Sequence, residues 1–211
     1  MMEWGFMKNY SFAYGSGTVE LPLDEKNVIG ELHGNAVAPL SDIRAALWTS
    51  LDAPIDSAPL RKRAKAGDTV ALVVSDMTRF WMRQDLVVPH LVDYLTERCG
   101  VREEDITIVI ANGTHIGGGE QELRTLVTAA VYERIQVKNH DCEAKDLVYL
   151  GTTPHGTPVS IDRTAAEADL VVCLGAVTHH VMAGFGGGRK SILPGISGRE
   201  TIFHNHAFSL D

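Results

Sequence analysis

Three continuous apolar runs stand out in the middle of the chain: 69–74 (TVALVV), 106–111 (ITIVIA) and 170–174 (LVVCL). Runs of this length, rich in β-branched residues, predict strands that are buried on both faces, as in a parallel sheet. Amphipathic helical patterns at 84–98 and 119–133 separate the runs, so strands and helices alternate along the chain. The pattern predicts an α/β fold, with a mostly parallel, Rossmann-like sheet that carries helices on both faces.

Shorter elements are predicted around this sheet. Residues 10–33 alternate between apolar and polar positions and contain turn residues, which favours short antiparallel strands or a hairpin. A helix is predicted to open at 39–41, with Ser41 as its N-cap. Pro89 lies inside the helical pattern at 84–98 and is expected to kink that helix. The remaining predicted elements are a strand at 135–137, a hairpin at 147–161 and a helical turn at 163–168.

Composition and charge narrow the class of protein. The 211 residues carry a net charge of −8, and 45% are hydrophobic, which predicts one domain, or one domain with a small appendage. The acidic balance argues against partners such as nucleic acid or an anionic membrane surface, because both require a basic face. A cytoplasmic location is predicted, because the three cysteines are widely spaced and the sequence shows neither an apolar run long enough to span a membrane nor a secretory signal.

A polar cluster follows each apolar run. The clusters cover 75–79 (SDMTR), 112–115 (NGTH) and 175–180 (GAVTHH). The carboxyl ends of parallel strands meet at one edge of a sheet, and open α/β sheets bind their ligands there. Three clusters in equivalent positions therefore predict a single binding crevice at that edge.

A glycine-rich segment at 183–198 follows the third cluster. Glycine permits positive φ angles and close approach of the backbone to a ligand, and successive N–H groups form a nest for anions. Lys190, within this segment, supplies a positive charge or, once desolvated, a nucleophilic amine. The segment is not a P-loop, because Arg189 stands where the second glycine is required and no strand directly precedes it.

Histidine is unusually frequent, with nine residues. Five lie in the predicted crevice segments: His115, His179, His180, His204 and His206. We expect these to act in catalysis or metal binding, with one member of each close pair acting directly. The other four lack such surroundings and are predicted to be structural: His33, His90, His140 and His155. No histidine shows a tight zinc spacing and no cysteine pair lies close by, which argues against a closed structural zinc site.

At these residues the chain resembles the nickel-dependent lactate racemase family. The matching segments are 75–79, 111–115 (ANGTH) and the long run from His179 to His206, which contains GGGRK at 186–190. The order and the spacing of all three segments agree with the family. The resemblance implies that residues 1–211 form the N-terminal cofactor-binding and catalytic domain, and that the C-terminal domain of the family is absent from this chain.

The resemblance also implies a cofactor, the nickel-pincer nucleotide (a pyridinium-3-thioamide-5-thiocarboxylate mononucleotide with nickel). Lys190 is expected to hold the pincer and His206 to ligate the nickel. The other cofactor-binding residues implied are Thr78, Gly186, Gly187, Gly188 and Arg189. Expected protein partners are the enzymes that synthesise the cofactor, and a second domain or a second chain that closes the site.

The substrates implied by the resemblance are small 2-hydroxy acids such as lactate, which the enzyme racemises or epimerises. His115 and His180 are expected to act as bases on opposite faces of the substrate, while Arg79 binds its carboxylate with Asp76 close by. The C–H bond at C2 is barely acidic beside a carboxylate, so transient transfer of a hydride to the cofactor replaces proton abstraction.

One motif departs from the family, and two other functions stay open. Phe80 and Trp81 follow Arg79 where the family usually has proline, so these aromatic residues either reshape the substrate pocket or pack onto the next helix. The chain is alternatively a non-catalytic module that binds a nucleotide or the cofactor. The third hypothesis is a lyase or dehydratase with a bare divalent metal at three histidines: His115, His180 and His206.

Overall fold

Two antiparallel strands, β1 (Met7–Tyr14) and β2 (Gly17–Asp24), open the computed structural model, which describes residues 6–210. They pair continuously across the hairpin, and the turn between them contains Gly15 with a φ of +57°. The expected hairpin is confirmed, although it begins at Met7 rather than at residue 10. The chain divides into two compact units, Met1–Pro39 with this hairpin and Leu40–Asp211 with all other elements.

The second unit contains the predicted sheet. Its strands are β3 (Val70–Ser75), β4 (Ile106–Ala111), β5 (Gln136–Asn139), β6 (Val148–Thr152), β7 (Pro158–Ile161), β8 (Leu170–Cys173), β9 (His179–His180) and β10 (Gly184–Phe185). Four of them form a parallel sheet in the order β5-β4-β3-β8. Strand β6 pairs antiparallel with β7, and β9 pairs antiparallel with β10. The predicted α/β class, with a parallel sheet and short antiparallel hairpins, is confirmed.

Seven α-helices belong to the second unit as described. They are α1 (Ile43–Asp52), α2 (Leu60–Arg63), α3 (Val88–Glu97), α4 (Glu120–Val127), α5 (Ala129–Tyr132), α6 (Arg163–Glu167) and α7 (Arg199–Ala207). Within residues 6–210, no helix combines the length and the apolar character needed to cross a membrane.

The core lies on both faces of the sheet. Successive residues of a strand point to opposite faces, so β3 divides its apolar side chains between two clusters. Leu72 and Val74 pack in the larger cluster, with side chains from α3, α4 and α5. Ala71 and Val73 pack in the smaller cluster, with Ala165 of α6. This two-sided burial explains why the strand sequence is continuously apolar and holds the ends of the strands in fixed positions.

Three local predictions are wrong. Asp42, not Ser41, caps α1, since its side chain accepts a hydrogen bond from the N–H of Ala45. Pro89 lies in the first turn of α3, where a missing N–H breaks no helical hydrogen bond and no kink is required. The pattern at 119–133 forms two helices rather than one, because Thr128 has a φ of +77° and separates α4 from α5.

Candidate functional site

The three polar clusters meet at the carboxyl edge of the sheet, as predicted. The parallel register places Ser75 beside Ala111 and Val73 beside Cys173, so the chain leaves β3, β4 and β8 at the same edge. The glycine-rich segment crosses this edge as well, because the N–H of Gly113 donates to the carbonyl oxygen of Gly195 at 2.9 Å. Four distant stretches of the chain thus border one crevice.

Lys190 lies where three cavities of this crevice meet. The first, the His115 cavity, has a volume of about 70 Å³ and is bordered by Arg79, His115 and Lys190. The second, the His180 cavity, has about 290 Å³ and is bordered by Arg79, His180 and Lys190. The third, the His206 cavity, has about 280 Å³ and is bordered by His180, Lys190 and His206. The structure therefore brings together the five residues to which the resemblance assigns catalysis, carboxylate binding, the cofactor anchor and the metal.

Asp76 and His115 form a hydrogen-bonded pair at the crevice. Nδ1 of His115 lies 2.5 Å from Oδ2 of the buried Asp76. The other carboxylate oxygen of Asp76 accepts hydrogen bonds from Oγ1 of Thr78 at 2.6 Å and from Nη1 of Arg79 at 3.2 Å. A carboxylate at Nδ1 holds the ring proton there and leaves Nε2 of His115 for a substrate.

His180 has a different environment. Its Nδ1 atom accepts hydrogen bonds from the backbone N–H groups of Met182 and Ala183, both at 3.2 Å. Burial, followed by the positive charges of Lys190 and Arg79, lowers the pKa of His180. Since Nδ1 accepts, the neutral ring carries its proton on Nε2. The two histidines therefore present opposite properties to the crevice, with Nε2 of His115 free to accept a proton and Nε2 of His180 donating one.

The surroundings of Lys190 favour the neutral form of its side chain. Burial lowers the pKa of Lys190, and the neighbouring charge of Arg79 lowers it further. A lysine with a lowered pKa has more of its amine unprotonated at neutral pH, and the unprotonated amine is the nucleophile. The chemistry of Lys190 therefore fits a residue that forms a covalent bond with a ligand.

Helix α7 carries His206 to its cavity. Nδ1 of His206 is buried and has no hydrogen-bond partner within residues 6–210. Such a ring nitrogen is available to a metal ion that is held mainly by other donors. Within the same residues, no group of three or more His, Cys, Asp or Glu side chains is arranged to hold a metal ion alone. This arrangement counts against the hypothesis of a bare divalent metal at three histidines.

Glycines form the wall opposite β8. A Cβ atom at Gly187, which has a φ of +71°, would lie 2.9 Å from the carbonyl oxygen of Ala176, so only glycine fits there. Gly186 and Gly187 both border the His180 cavity. Gly188 and the exposed Arg189, both predicted to bind the cofactor, lie outside the three cavities.

Phe80 and Trp81, the aromatic pair that follows Arg79, have different surroundings. Met77–Met82 form two short 3₁₀ turns that meet at a kink at Arg79, whose φ and ψ are −114° and 17°. Met77 and Phe80 both pack against the core. Thr78 and Trp81 both border the His180 cavity. Each of the two expectations for this pair therefore holds for one residue, since Phe80 packs against the core and Trp81 lines the pocket.

One member of each close histidine pair borders a crevice cavity. His179 instead stacks on Phe185, with ring centroids 5.3 Å apart. His204 points its Nδ1 towards Oγ1 of Thr157 at 3.3 Å, away from the three cavities. Six polar residues without a predicted role border the cavities: Ser75, Asn112, Thr178, Ser191, Asn205 and Ser209. The first three lie in the predicted polar clusters, whereas only nearness in the chain to Lys190 or His206 points to the other three.

Comparisons with known proteins point to one family. A family model described as the lactate racemase N-terminal domain matches residues 14–211. Lactate racemase from Thermoanaerobacterium thermosaccharolyticum is 30% identical over 203 residues, which cover 95% of this chain and 47% of that protein. Lactate racemase from Lactiplantibacillus plantarum is 31% identical over 198 residues, which cover 92% of this chain and 46% of that protein.

A solved structure supports the same relationship. The lactate racemase apoprotein from T. thermosaccharolyticum is similar with a TM-score of 0.81 and 30% identity, over 94% of this chain and 46% of that one. The chain spans about half the length of the curated relatives that it matches. Family model, relatives and fold agree over nearly the whole chain, which therefore belongs to the lactate racemase family and corresponds to its N-terminal domain.

Proposed function

We propose that this chain is the catalytic N-terminal part of a racemase or epimerase that inverts a 2-hydroxy acid, such as lactate, at C2. One observation carries the proposal: His115 and His180 border two separate cavities that share Arg79 and Lys190 as a common wall. A substrate whose carboxylate is bound at that wall can place its hydroxyl group in either cavity, and it then meets His115 in one and His180 in the other. Racemisation requires such a pair, because each enantiomer presents its hydroxyl group to a different side of the site.

Arg79 binds the carboxylate of the substrate. The residues bordering the His180 cavity include Arg79 and Lys190 but no carboxylate side chain. The cavity is therefore positive and attracts an anion. A guanidinium group binds a carboxylate through two parallel hydrogen bonds, which fixes the orientation of C2 as well as its position. Asp76 contacts only one terminal nitrogen of Arg79, so donors on the guanidinium remain for the substrate.

His115 acts as the base for one enantiomer. Its Nε2 atom takes the hydroxyl proton when C2 is oxidised to the keto level, and the imidazolium that forms lies against the Asp76 carboxylate. Asp76 is thus a positioning residue that fixes the tautomer of His115 and stabilises its charge. The planar keto acid stays bound to Arg79 until the proton and the hydride return to the other face.

His180 serves the opposite enantiomer. In the described geometry its Nε2 carries the only ring proton, so it can hydrogen-bond to the oxygen on C2 but cannot give that proton away without leaving an imidazolate. To accept a proton at Nε2, and later to return it as an imidazolium, His180 must first carry its ring proton on Nδ1, which requires Met182 and Ala183 to release Nδ1. The turn after β9 therefore moves during each catalytic cycle in this direction.

The residues fit the nickel-pincer nucleotide as cofactor. When bound, this group supplies the acceptor and donor of the C2 hydride. Lys190 holds it through its nucleophilic amine, and Nδ1 of His206 is free to ligate the metal. Lys190 and His206, which would hold the group, both border the His206 cavity, and Thr78, Gly186 and Gly187 border the His180 cavity, which shares Lys190 with it. Gly188 and Arg189 lie outside the three cavities. The enzymes that synthesise the cofactor, and a second domain or chain that covers the crevice, are the expected partners.

The test uses protein produced together with the enzymes that make the pincer. We expect a nucleotide-sized mass increment and about one nickel per chain, as a single cofactor site requires. Lys190→Ala removes the increment, whereas Lys62→Ala at an exposed position of α2 keeps it. Chiral chromatography of the loaded protein then follows inversion of lactate and other 2-hydroxy acids. Loading without inversion of any 2-hydroxy acid points to the non-catalytic module, and wild-type inversion in Lys190→Ala rejects the proposed site.

A further inference from the structure

Trp81 places a large apolar surface at the edge of the crevice. Its side chain is 63% exposed, although Phe80, its neighbour in the same 3₁₀-helix, packs against the core. Trp81 borders the His180 cavity, as does Thr78. A tryptophan held this openly beside a polar site is available for contact with a ligand, because tryptophan gains more from burial than almost any other residue.

The His180 cavity is bordered by both polar and apolar side chains. Arg79, His180 and Lys190 are polar, as are the hydroxyl residues Ser75, Thr78 and Thr178, and Arg79 supplies a positive charge. Trp81 and the half-buried Met82 supply apolar surface to the same cavity, which measures about 290 Å³. A molecule that combines an anionic group with an apolar group can contact both kinds of side chain.

We propose that the substrate is a 2-hydroxy acid whose C3 carries an aromatic ring, which stacks against the indole of Trp81. This inference rests on the proposed function and names its substrate class. With the carboxylate on Arg79 and C2 beside His180, the substituent on C2 extends towards Trp81 and Met82. Aromatic side chains pair with each other in stacked or edge-to-face geometry and add to the gain from burial.

The alternatives match the cavity less well. Lactate presents only a methyl group and leaves most of the indole uncovered. A second carboxylate, as in malate, or the hydroxyl groups of a sugar acid can bond to Ser75, Thr78 and Thr178, but neither covers the exposed indole of Trp81 with apolar surface. An aromatic ring is the substituent that buries this indole, so it uses the cavity most fully.

The first test measures binding to the chain without cofactor. Saturation-transfer NMR with 3-phenyllactate detects which ligand protons touch the protein, even when binding is weak. We expect strong transfer to the ring protons in the wild type and its loss in Trp81→Ala. The matched control is Phe203→Ala, which removes another exposed aromatic side chain, on α7 and outside the three cavities. Ring transfer that persists in Trp81→Ala overturns the proposal.

The second test measures turnover by the cofactor-loaded protein. We expect the kcat/KM for 3-phenyllactate to exceed that for lactate, and Trp81→Ala to lower this ratio roughly tenfold. An equal loss for both substrates means that Trp81 helps to close the site rather than to select the side chain, and overturns the inference. Inversion of lactate without any preference for 3-phenyllactate overturns this inference alone. Inversion of neither acid, nor of malate, overturns the proposed function together with it.

Discussion

Nδ1 of His115 lies 2.5 Å from Oδ2 of Asp76, although 39 positions separate the two residues in the chain. The parallel register creates this contact, because Ser75 and Ala111 lie side by side where β3 and β4 end. Asp76 directly follows β3, and the short turn after Ala111 places His115 within hydrogen-bond distance of Asp76. The pairing of a carboxylate with a candidate base is thus a direct product of sheet geometry.

Replacement of Asp76 by Asn tests this pair. The amide keeps the size of the side chain but removes the charge that stabilises the His115 imidazolium and fixes its tautomer. We expect kcat of the loaded enzyme to fall roughly 10²-fold, with a smaller change in KM. Steady-state kinetics of inversion by the loaded enzyme measures both constants.

Asp85→Asn is the matched control for that experiment. Asp85 lies nearby in sequence but pairs with Arg83, outside the three cavities. We expect its activity to stay within about twofold of the wild type, as for most surface substitutions. A loss in Asp85→Asn as large as in Asp76→Asn would show that disturbance of this segment, not the carboxylate, causes the effect.

The pKa of His180 is expected to respond to Lys190. Burial and then the charge of Lys190 favour the neutral ring, so the pKa lies below the ordinary value of 6.5. At a pH where an ordinary histidine is half protonated, most His180 rings are therefore neutral. NMR titration of the cofactor-free chain is expected to place the pKa below 6.5, and Lys190→Met to raise it. The control is Lys62→Met, at an exposed position of α2, which is expected to leave the His180 pKa unchanged. A His180 pKa above 6.5 in the wild type would contradict this prediction.

Lys190 is expected to be the more reactive amine in a direct competition. Its lowered pKa, caused by burial and by Arg79, raises the neutral fraction at mildly alkaline pH. Trace acetylation followed by peptide mass spectrometry compares Lys190 with the exposed Lys145 in the same sample. Arg79→Met removes one of the two causes, so the relative rate at Lys190 is expected to fall. An unchanged rate would mean that Arg79 does not act on this amine.

The sequence predicts the sheet and its edge well, because the evidence for both is local. A strand such as Ile106–Ala111 is buried on both faces and must be apolar throughout, so its limits show directly in the pattern. The parallel arrangement then places Asp76 and His115 at one edge without further information. Their hydrogen bond depends on side-chain rotamers, which no sequence pattern reports.

Other features depend on packing that the pattern does not show. Arg199–Ala207 forms α7, yet its apolar residues lack a helical stripe, and the fold rather than the sequence places His206 in the crevice. Thr128 adopts a φ of +77°, a conformation that a β-branched residue rarely accepts, so the break between α4 and α5 has no sequence signal. The different surroundings of Phe80 and Trp81 arise in two short 3₁₀ turns that meet at a kink at Arg79, and turns this short leave no recognisable period in the sequence.

Asp162 is expected to control the stability of the chain in acid. It caps α6, where its side chain accepts a hydrogen bond from the N–H of Thr164 at 2.9 Å. Its carboxylate also accepts a hydrogen bond from Nζ of Lys138 at 3.1 Å and lies 3.4 Å from Nδ1 of the buried His140. Burial alone would raise its pKa, but the hydrogen bonds from His140 and Lys138 and the charge of Lys138 outweigh burial and lower the pKa to about 2. Nε2 of His140 lies 3.0 Å from the carbonyl oxygen of Ser197, so the contacts of this ring tie β5 and α6 to the segment behind the crevice.

The sign of the pH dependence follows from that lowered pKa. The unfolded chain takes up a proton at Asp162 near the ordinary value of 3.8, before the folded chain does. The stabilisation is therefore complete above about pH 4 and is lost as the pH falls through about 2, with a total of about 2 kcal/mol. Asp162→Asn is expected to lower the free energy of unfolding near pH 7 by about that amount and to flatten its decline in acid. Urea unfolding across this pH range measures both effects, with Asp146→Asn at an exposed site as the control; an equally steep decline in Asp162→Asn would place the acid sensitivity elsewhere in the chain.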